Sequence, residues 1–300
     1  MAETATKDMN VQVVEDKVTS PWKEALRTFL RSKSAVAGTV IVLFFILVAL
    51  FAPIIAPEGI NEQKLGDPST HLVPPSSEFW FGTDEFGRDI FSRVVWGTQI
   101  SLTVGFGAVV LSAVLGSFLG IIAGYYGRWV DTIISRFFDI LLAFPSILLA
   151  IAIVSILGSS LQNALIAIAI VNVPNFGRLI RSKVLSVKEE EYITAAKAIG
   201  MKDSRILLRH ILPNSFAPVI VQGTLAIATA IIEAAALSFL GLGAEPPQPE
   251  WGKMLADARI YLMNAPWTMI FPGLAIMLTV LGFNLMGDGL RDALDPKMKN

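Results

Sequence analysis

From Glu191 to Asn214 the chain reads EYITAAKAIGMKDSRILLRHILPN, a polar and basic insertion in the second half of an otherwise membrane-like sequence. Tyr192, Ala195, Ala196 and Ile199 fall at i, i+3, i+4 and i+7, so a stripe of mostly small apolar side chains runs along a short helix. Gly200 follows the last periodic residue and suits the left-handed position just past a helix end. Asp203 is placed to cap a second helix through Ile206, Leu207 and Ile211, which Pro213 ends. The spacing predicts a helix-turn-helix over about 187–213, set between two hydrophobic spans, with its stripe free to enter a partner's groove. A basic hairpin lying on anionic headgroups is the competing interpretation. The small Ala195 and Ala196 speak against it, because a lipid-binding face needs bulky anchors.

The rest of the chain explains why a hairpin stands out. Of 300 residues, 53% are hydrophobic and 16% charged, with a mean hydropathy of +0.60, which is too apolar for a soluble domain and points to a membrane protein. The absence of cysteine excludes disulfides, thiolate catalysis, cysteine-bound zinc and iron–sulfur clusters. A net charge of -1 offers no basic field for nucleic acid. No GxxxxGKS or GxxxxGKT occurs, so the chain carries no phosphate-binding loop of its own. With His71 and His210 as its two histidines and neither HExxH nor GxSxG present, it offers no zinc-protease or serine-hydrolase site.

Hydropathy predicts an all-α membrane fold. Residues 1–34 form a polar tail ending in an amphipathic helix from Pro21, with Trp22, Ala25 and Phe29 on one face, resting at the membrane surface. A transmembrane domain fills 35–300. Its first span, about 35–56, is an uncharged run long enough to cross a bilayer, and it lies too deep in the chain for a cleaved signal. Further spans are expected at about 101–125, 138–157, 161–176, 215–240 and 267–286. The fourth is short and carries Asn163, Asn172, Pro174 and Asn175, which must face other helices or water. Six spans place both termini on one side. Of the 24 Lys and Arg, 19 fall on that side and only Lys64, Arg88, Arg93, Lys253 and Arg259 on the other, so the termini and the 187–213 loop are expected to be cytoplasmic.

Gly116, Gly120 and Gly124 recur every four residues in span two, a ridge on which another helix can pack closely. Two acids lie within spans, where a charge is costly unless it meets water or a partner. Asp139 has Arg136 within reach. Glu233 lies deeper, in IIEAAALSFLGLG, where contact with substrate, a proton relay and a bond to a neighbouring helix all remain open. Together with Asn172 these are candidate pathway groups. Outside, FGTDEFGRDIFSRVVWG (81–97) predicts a short helix capped by Thr83 or Asp84, with Asp84/Arg88 and Asp89/Arg93 pairs. In AEPPQPEWGKMLADARIYL (244–262) the prolines precede an amphipathic helix, with Trp251 and Tyr261 suited to the interfacial belt. Asp84, Arg88, Asp89 and Trp251 are candidates for an external gate or docking surface.

Glu191, Ala195, Ala196, Gly200, Ile211, Leu212 and Pro213 match the "EAA" loop of the membrane subunits of bacterial ABC importers, which this chain resembles. The family's pattern puts Ala directly after the Glu; here Tyr192 and Ile193 intervene, a variant that resembles the peptide and nickel branch. Residues 81–102, Glu233 to Gly243 and the C-terminal GDGLRDALDPK are similar to strings of that branch, so the resemblance covers nearly the whole chain from Trp22. It implies the second of two non-identical permeases of a peptide importer in the bacterial inner membrane. It also implies a homologous second permease, two cytoplasmic ATPases holding ATP and Mg, and an external binding protein. In this chain Glu191, Tyr192, Ala195, Ala196, Ile199, Gly200, Leu212 and Pro213 would couple to the ATPase, and no cofactor, metal or catalytic group would be held. A nickel-complex or other small-solute importer is the alternative within the class. An intramembrane enzyme using Asp139 and Glu233, or a passive channel, stands outside it, and neither explains the hairpin.

Overall fold

Inside a bilayer the backbone has no water to bond with, and a helix satisfies every internal N–H and C=O within one segment. The computed structural model describes residues 21–56 and 68–294, and helices account for most of them. The expected polar tail over 1–20 and the face assigned to Trp22 lie outside the described residues. In order the helices are α1 (Pro21–Arg31), α2 (Lys33–Leu50), α3 (Ala52–Ile55), α4 (Ile90–Tyr126), α5 (Arg128–Leu142), α6 (Ser146–Leu157), α7 (Leu161–Lys188), α8 (Glu191–Ala198), α9 (Asp203–Ile206), α10 (Leu212–Phe239), α11 (Trp251–Ala258) and α12 (Trp267–Leu294). Five uninterrupted runs, α2, α4, α7, α9 through α10, and α12, are long and apolar enough to cross a membrane, and the bent pair α5 and α6 makes six if the two helices count as one span.

Several boundaries differ from expectation, and proline explains most of the differences. The span expected over 138–157 is two helices that start at Arg128 and turn by 93° between Leu142 and Ser146. Pro145 has no N–H to give and disfavours a helical Phe144. Pro174 does not stop α7, which runs twelve residues past the expected end at Phe176, because the turn around it is clamped under α4. Pro213 does not end the hairpin's second helix either. Residues 207–211 form a wide π-helical turn, closed by a bond from Leu212 N–H to the Leu207 carbonyl, which carries the chain directly into α10. A wide turn gives the proline ring room that a regular turn would deny it. At the other end, α4 begins at Ile90 rather than near 101. Its cap is Asp89, whose carboxylate accepts from Ser92 N–H at 2.8 Å. The outer helix expected from Thr83 or Asp84 is therefore the first turns of span two.

The glycine ridge sets the centre of the fold. A Cβ at Gly116 would stand 2.5 Å from the Val173 carbonyl oxygen and 2.8 Å from Phe176 Cβ, and one at Gly120 would run into the Gly177 backbone. The α4 and α7 backbones therefore pack at a distance that only glycine allows. Between helices in lipid this close dispersion contact replaces the hydrophobic drive that a soluble core would use. Phe138 of α5 lies over Gly177 from the other side. Ile168, Phe176, Ile180 and Ile231 fill the core between α4, α7 and α10, while α12 packs on α2 and α10 and takes α1 against its last turns.

Candidate functional site

Lys188 and Lys197 both approach Tyr125 in the last turn of α4, at the end of the bundle where α8 lies between α7 and α9 in the chain. Gly200 has φ +77°, its N–H bonds the Lys197 carbonyl at 2.9 Å and Met201 N–H bonds the Ala196 carbonyl at 3.1 Å. These paired bonds close the helix as a Schellman motif, for which glycine is the natural residue. The stripe read from sequence divides in two. Tyr192, Ala195 and Ile199 are exposed, Ile199 by 78%, but Ala196 is buried beside Ile193, whose side chain is 0% exposed. Ala196 therefore anchors α8 to its own chain. Glu191 and Pro213 are exposed and Leu212 half-buried.

Asp203 does not cap α9: Lys202 holds that position. Its carboxylate instead accepts from the Tyr125 hydroxyl at 2.6 Å, tying the hairpin to the last turn of α4. Lys188 Nζ donates to the Tyr125 carbonyl at 2.7 Å. The Lys188 and Lys197 ammonium groups lie 5.8 and 5.6 Å from the Tyr125 ring centre, within cation–π range. A second link joins α5 to α7 through Asp131 and the Arg181 guanidinium, whose Nη2 donates to Asp131 Oδ2 at 2.7 Å. Nothing in the local spacing marks Tyr125, because its partner stands 78 residues further on.

Asp139 and Glu233 have different surroundings. Asp139 pairs with Arg136 at 3.5 Å, as its spacing suggests, and more closely with Arg178 of α7 at 2.6 Å. Glu233 meets Asn172, whose Nδ2 donates to Oε2 at 3.1 Å, and the hydroxyl of Ser146, the first residue after the bend. Asn172 and Arg178 are six residues apart on α7, about 9 Å of helix rise, so the two carboxylates are held by separate groups. The structure does not bring them together as a catalytic pair.

At the opposite end the outer candidates are buried. Asp84 pairs with Arg88 at 2.7 Å and lies 3.4 Å from Arg93, and Asp89 is spent on the α4 cap. Trp251, expected at the interfacial belt, is 0% exposed, with its Nε1–H on the Val94 carbonyl at 3.1 Å and its ring edge-on to Phe45. The four residues therefore pack the outer cap, where exposed side chains were expected. Glu250 caps α11 and also accepts from Ser101 at 3.4 Å; burial pushes its carboxyl above the usual range. Burial raises the Glu85 carboxyl as well. An open cavity of about 370 Å³ lies beside this cap, lined by Glu85, Arg88, Arg93, Lys253, Asp257 and Arg259.

Comparison with known proteins matches residues 116–300 to the family described as binding-protein-dependent transport system inner membrane component. Residues 20–75 match the N-terminal TM domain of oligopeptide transport permease C. The chain is 62% identical, over 98% of its length and 97% of the relative's, to the dipeptide transport system permease protein DppC of Alkalihalophilus pseudofirmus. It is 50% identical, over 96% of its length and 95% of the relative's, to the glutathione transport system permease protein GsiD of Pectobacterium atrosepticum. Among solved structures, a chain of the inward-facing MetNI methionine ABC transporter shares the fold at 19% identity with a TM-score of 0.56, over 68% of this chain and 97% of that one.

Proposed function

Because this chain belongs to the family of binding-protein-dependent transport system inner membrane components, we propose that its α8 hairpin converts ATP hydrolysis on separate subunits into alternating access along a peptide path. The chain is a permease of the peptide ABC importer class, a multi-pass protein of the bacterial inner membrane, and has no enzymatic role of its own. In this proposal the basic end, with both termini and α8, faces the cytoplasm, as the lysine and arginine bias requires. ATP and Mg belong to two ATPases bound there. A homologous permease completes the pathway and an external binding protein delivers peptide to the capped end.

One observation carries the coupling role: α8 is secured on one face and open on the other. Ile193 and Ala196 bind it to its own bundle, and the Tyr125 to Asp203 bond joins the hairpin to α4. Tyr192, Ala195 and Ile199 remain exposed, a small-residue face bounded by two larger side chains that suits a groove. A push on that face passes through the short turn at 199–202 to α9, which the Tyr125 to Asp203 bond ties to α4 and which runs into α10 without a break. Rigid elements that shift together can exchange two packings of the permease pair. Coupling also requires contacts that differ between the two states.

Purification of the tagged chain from native membranes in mild detergent tests this. A second multi-span subunit and ATPases should co-purify, and the reconstituted assembly with its binding protein should accumulate a dipeptide only when ATP is present. A chain that remains alone, or dipeptide uptake that proceeds without ATP, would overturn the proposal.

A further inference from the structure

We propose that Glu233 receives the free α-ammonium of the transported peptide, an inference that rests on the peptide-importer function proposed above. Depth comes first. Asn172, the donor to Glu233, stands about 17 Å along α7 from its outer end and about 24 Å from its inner end, at 1.5 Å per residue. The carboxylate is therefore near the middle of the bundle, where an acidic group costs roughly 2.5–3.5 kcal/mol on insertion scales unless something compensates it.

The two acids of α5 have cations: Asp131 has Arg181, and Asp139 has Arg178 and Arg136. Glu233 is held by Asn172 and Ser146, two neutral groups that orient a carboxylate without neutralising it. Glu250 is also held by neutral donors, but it is sealed and spent on a helix cap. Glu233 is only half-buried, and its surroundings are polar and open. Asn175, whose Nδ2 lies 3.4 Å from Asn172 Oδ1, is exposed, and so is Thr229 one turn before Glu233 on α10. The kink at Pro145, which frees backbone groups of the α5–α6 bend, opens beside the same cluster through Ser146.

A polar strip at mid-depth that the chain leaves uncovered is disallowed against lipid. It belongs against a water-filled path, and an oriented carboxylate in such a place selects a cation that brings its own charge and donors. A primary ammonium supplies three donors and one positive charge. Dipeptides and glutathione, the cargoes in the names of the two relatives, share a free α-ammonium.

The test uses the complete assembly, reconstituted with its partner permease, ATPases and binding protein. Uptake of a dipeptide is compared with that of the same molecule carrying a hydroxyl in place of the α-amine, each at concentrations that saturate the binding protein. Wild type should favour the amine. Glu233→Gln should lower dipeptide uptake about tenfold, the effect of one lost charge-assisted contact, and leave the hydroxyl analogue and the ATPase rate unchanged. Glu233→Asp should recover much of the amine preference. Equal loss of both cargoes in Glu233→Gln, full dipeptide uptake by that variant, or a wild type that carries the two equally would each overturn the assignment. If the wild-type assembly accumulates neither, the peptide-importer proposal itself fails.

Discussion

Replacing Tyr125 by Phe removes a single oxygen from the joint between α4 and the hairpin, and leaves in place the ring over which Lys188 and Lys197 sit. The lost bond runs from the buried Tyr125 side chain to the Asp203 carboxylate at 2.6 Å. Hydrogen bonds to charged groups contribute about 1.5–3 kcal/mol. Asp203 is itself exposed, so water can replace the hydroxyl at the carboxylate, and the lower value of about 1.5 kcal/mol applies. If the bond is made in one access state and not in the other, that energy changes the balance of states by about tenfold. The readout is peptide accumulated per ATP hydrolysed, in proteoliposomes holding the whole complex. Tyr125→Phe should hydrolyse ATP near the wild-type rate and accumulate several-fold less peptide, with the complex intact by size-exclusion chromatography. An unchanged transport-to-hydrolysis ratio would refute the proposed transmission through this joint. A parallel fall in both activities with loss of assembled complex would show that the bond serves folding alone.

The two alanines of α8 should behave differently. Ala195→Glu changes an exposed face, where stability moves by about 0.5 kcal/mol or less, and should abolish uptake while the chain still accumulates in the membrane. Ala196→Glu forces an unpaired charge beside Ile193 and should lower the amount of folded chain; immunoblots of membranes separate the outcomes. At the outer cap, burial holds a proton on Glu250 to higher pH than in the unfolded chain. The native state thus binds more protons, and this group's contribution to stability falls as pH rises above the ordinary carboxylate value of 4.5. Melting temperatures of Glu250→Gln in detergent should decline less than those of wild type between that pH and neutrality, and parallel curves would contradict the burial effect.

Apolar run length, counted against the thickness of a bilayer, was enough to reveal a nearly all-helical chain with five spans, or six with the bent pair counted as one, and the position of Gly200 marked the end of α8. Prolines were harder to interpret, because a lost backbone bond can break a helix, as at Pro145, or be absorbed by packing and local geometry, as at Pro174 and Pro213. The facing of α8 was ambiguous for another reason. Tyr192, Ala195 and Ile199 form one apolar line and Ile193 with Ala196 another, and only the tertiary environment decides which turns inward. Ile193, the bulkier member of the inner line, was the available signal. Asp84 and Asp89 are both suitable caps by residue type, and the choice fell to the register of α4. The Glu233 to Asn172 contact spans 61 residues and Tyr125 to Asp203 spans 78, distances that no periodicity reports.

The chain contains no cysteine, so a single introduced thiol is a unique label. Ala195→Cys or Ile199→Cys, carrying a maleimide-linked photoreactive group in native membranes, is expected to crosslink to an ATPase subunit, with a yield that changes when ATP is added. The same label at an outer-cap position, Arg259→Cys, should give no such product. If the α8 labels capture only lipid, or react from the external face, then α8 is not the point at which hydrolysis reaches this permease.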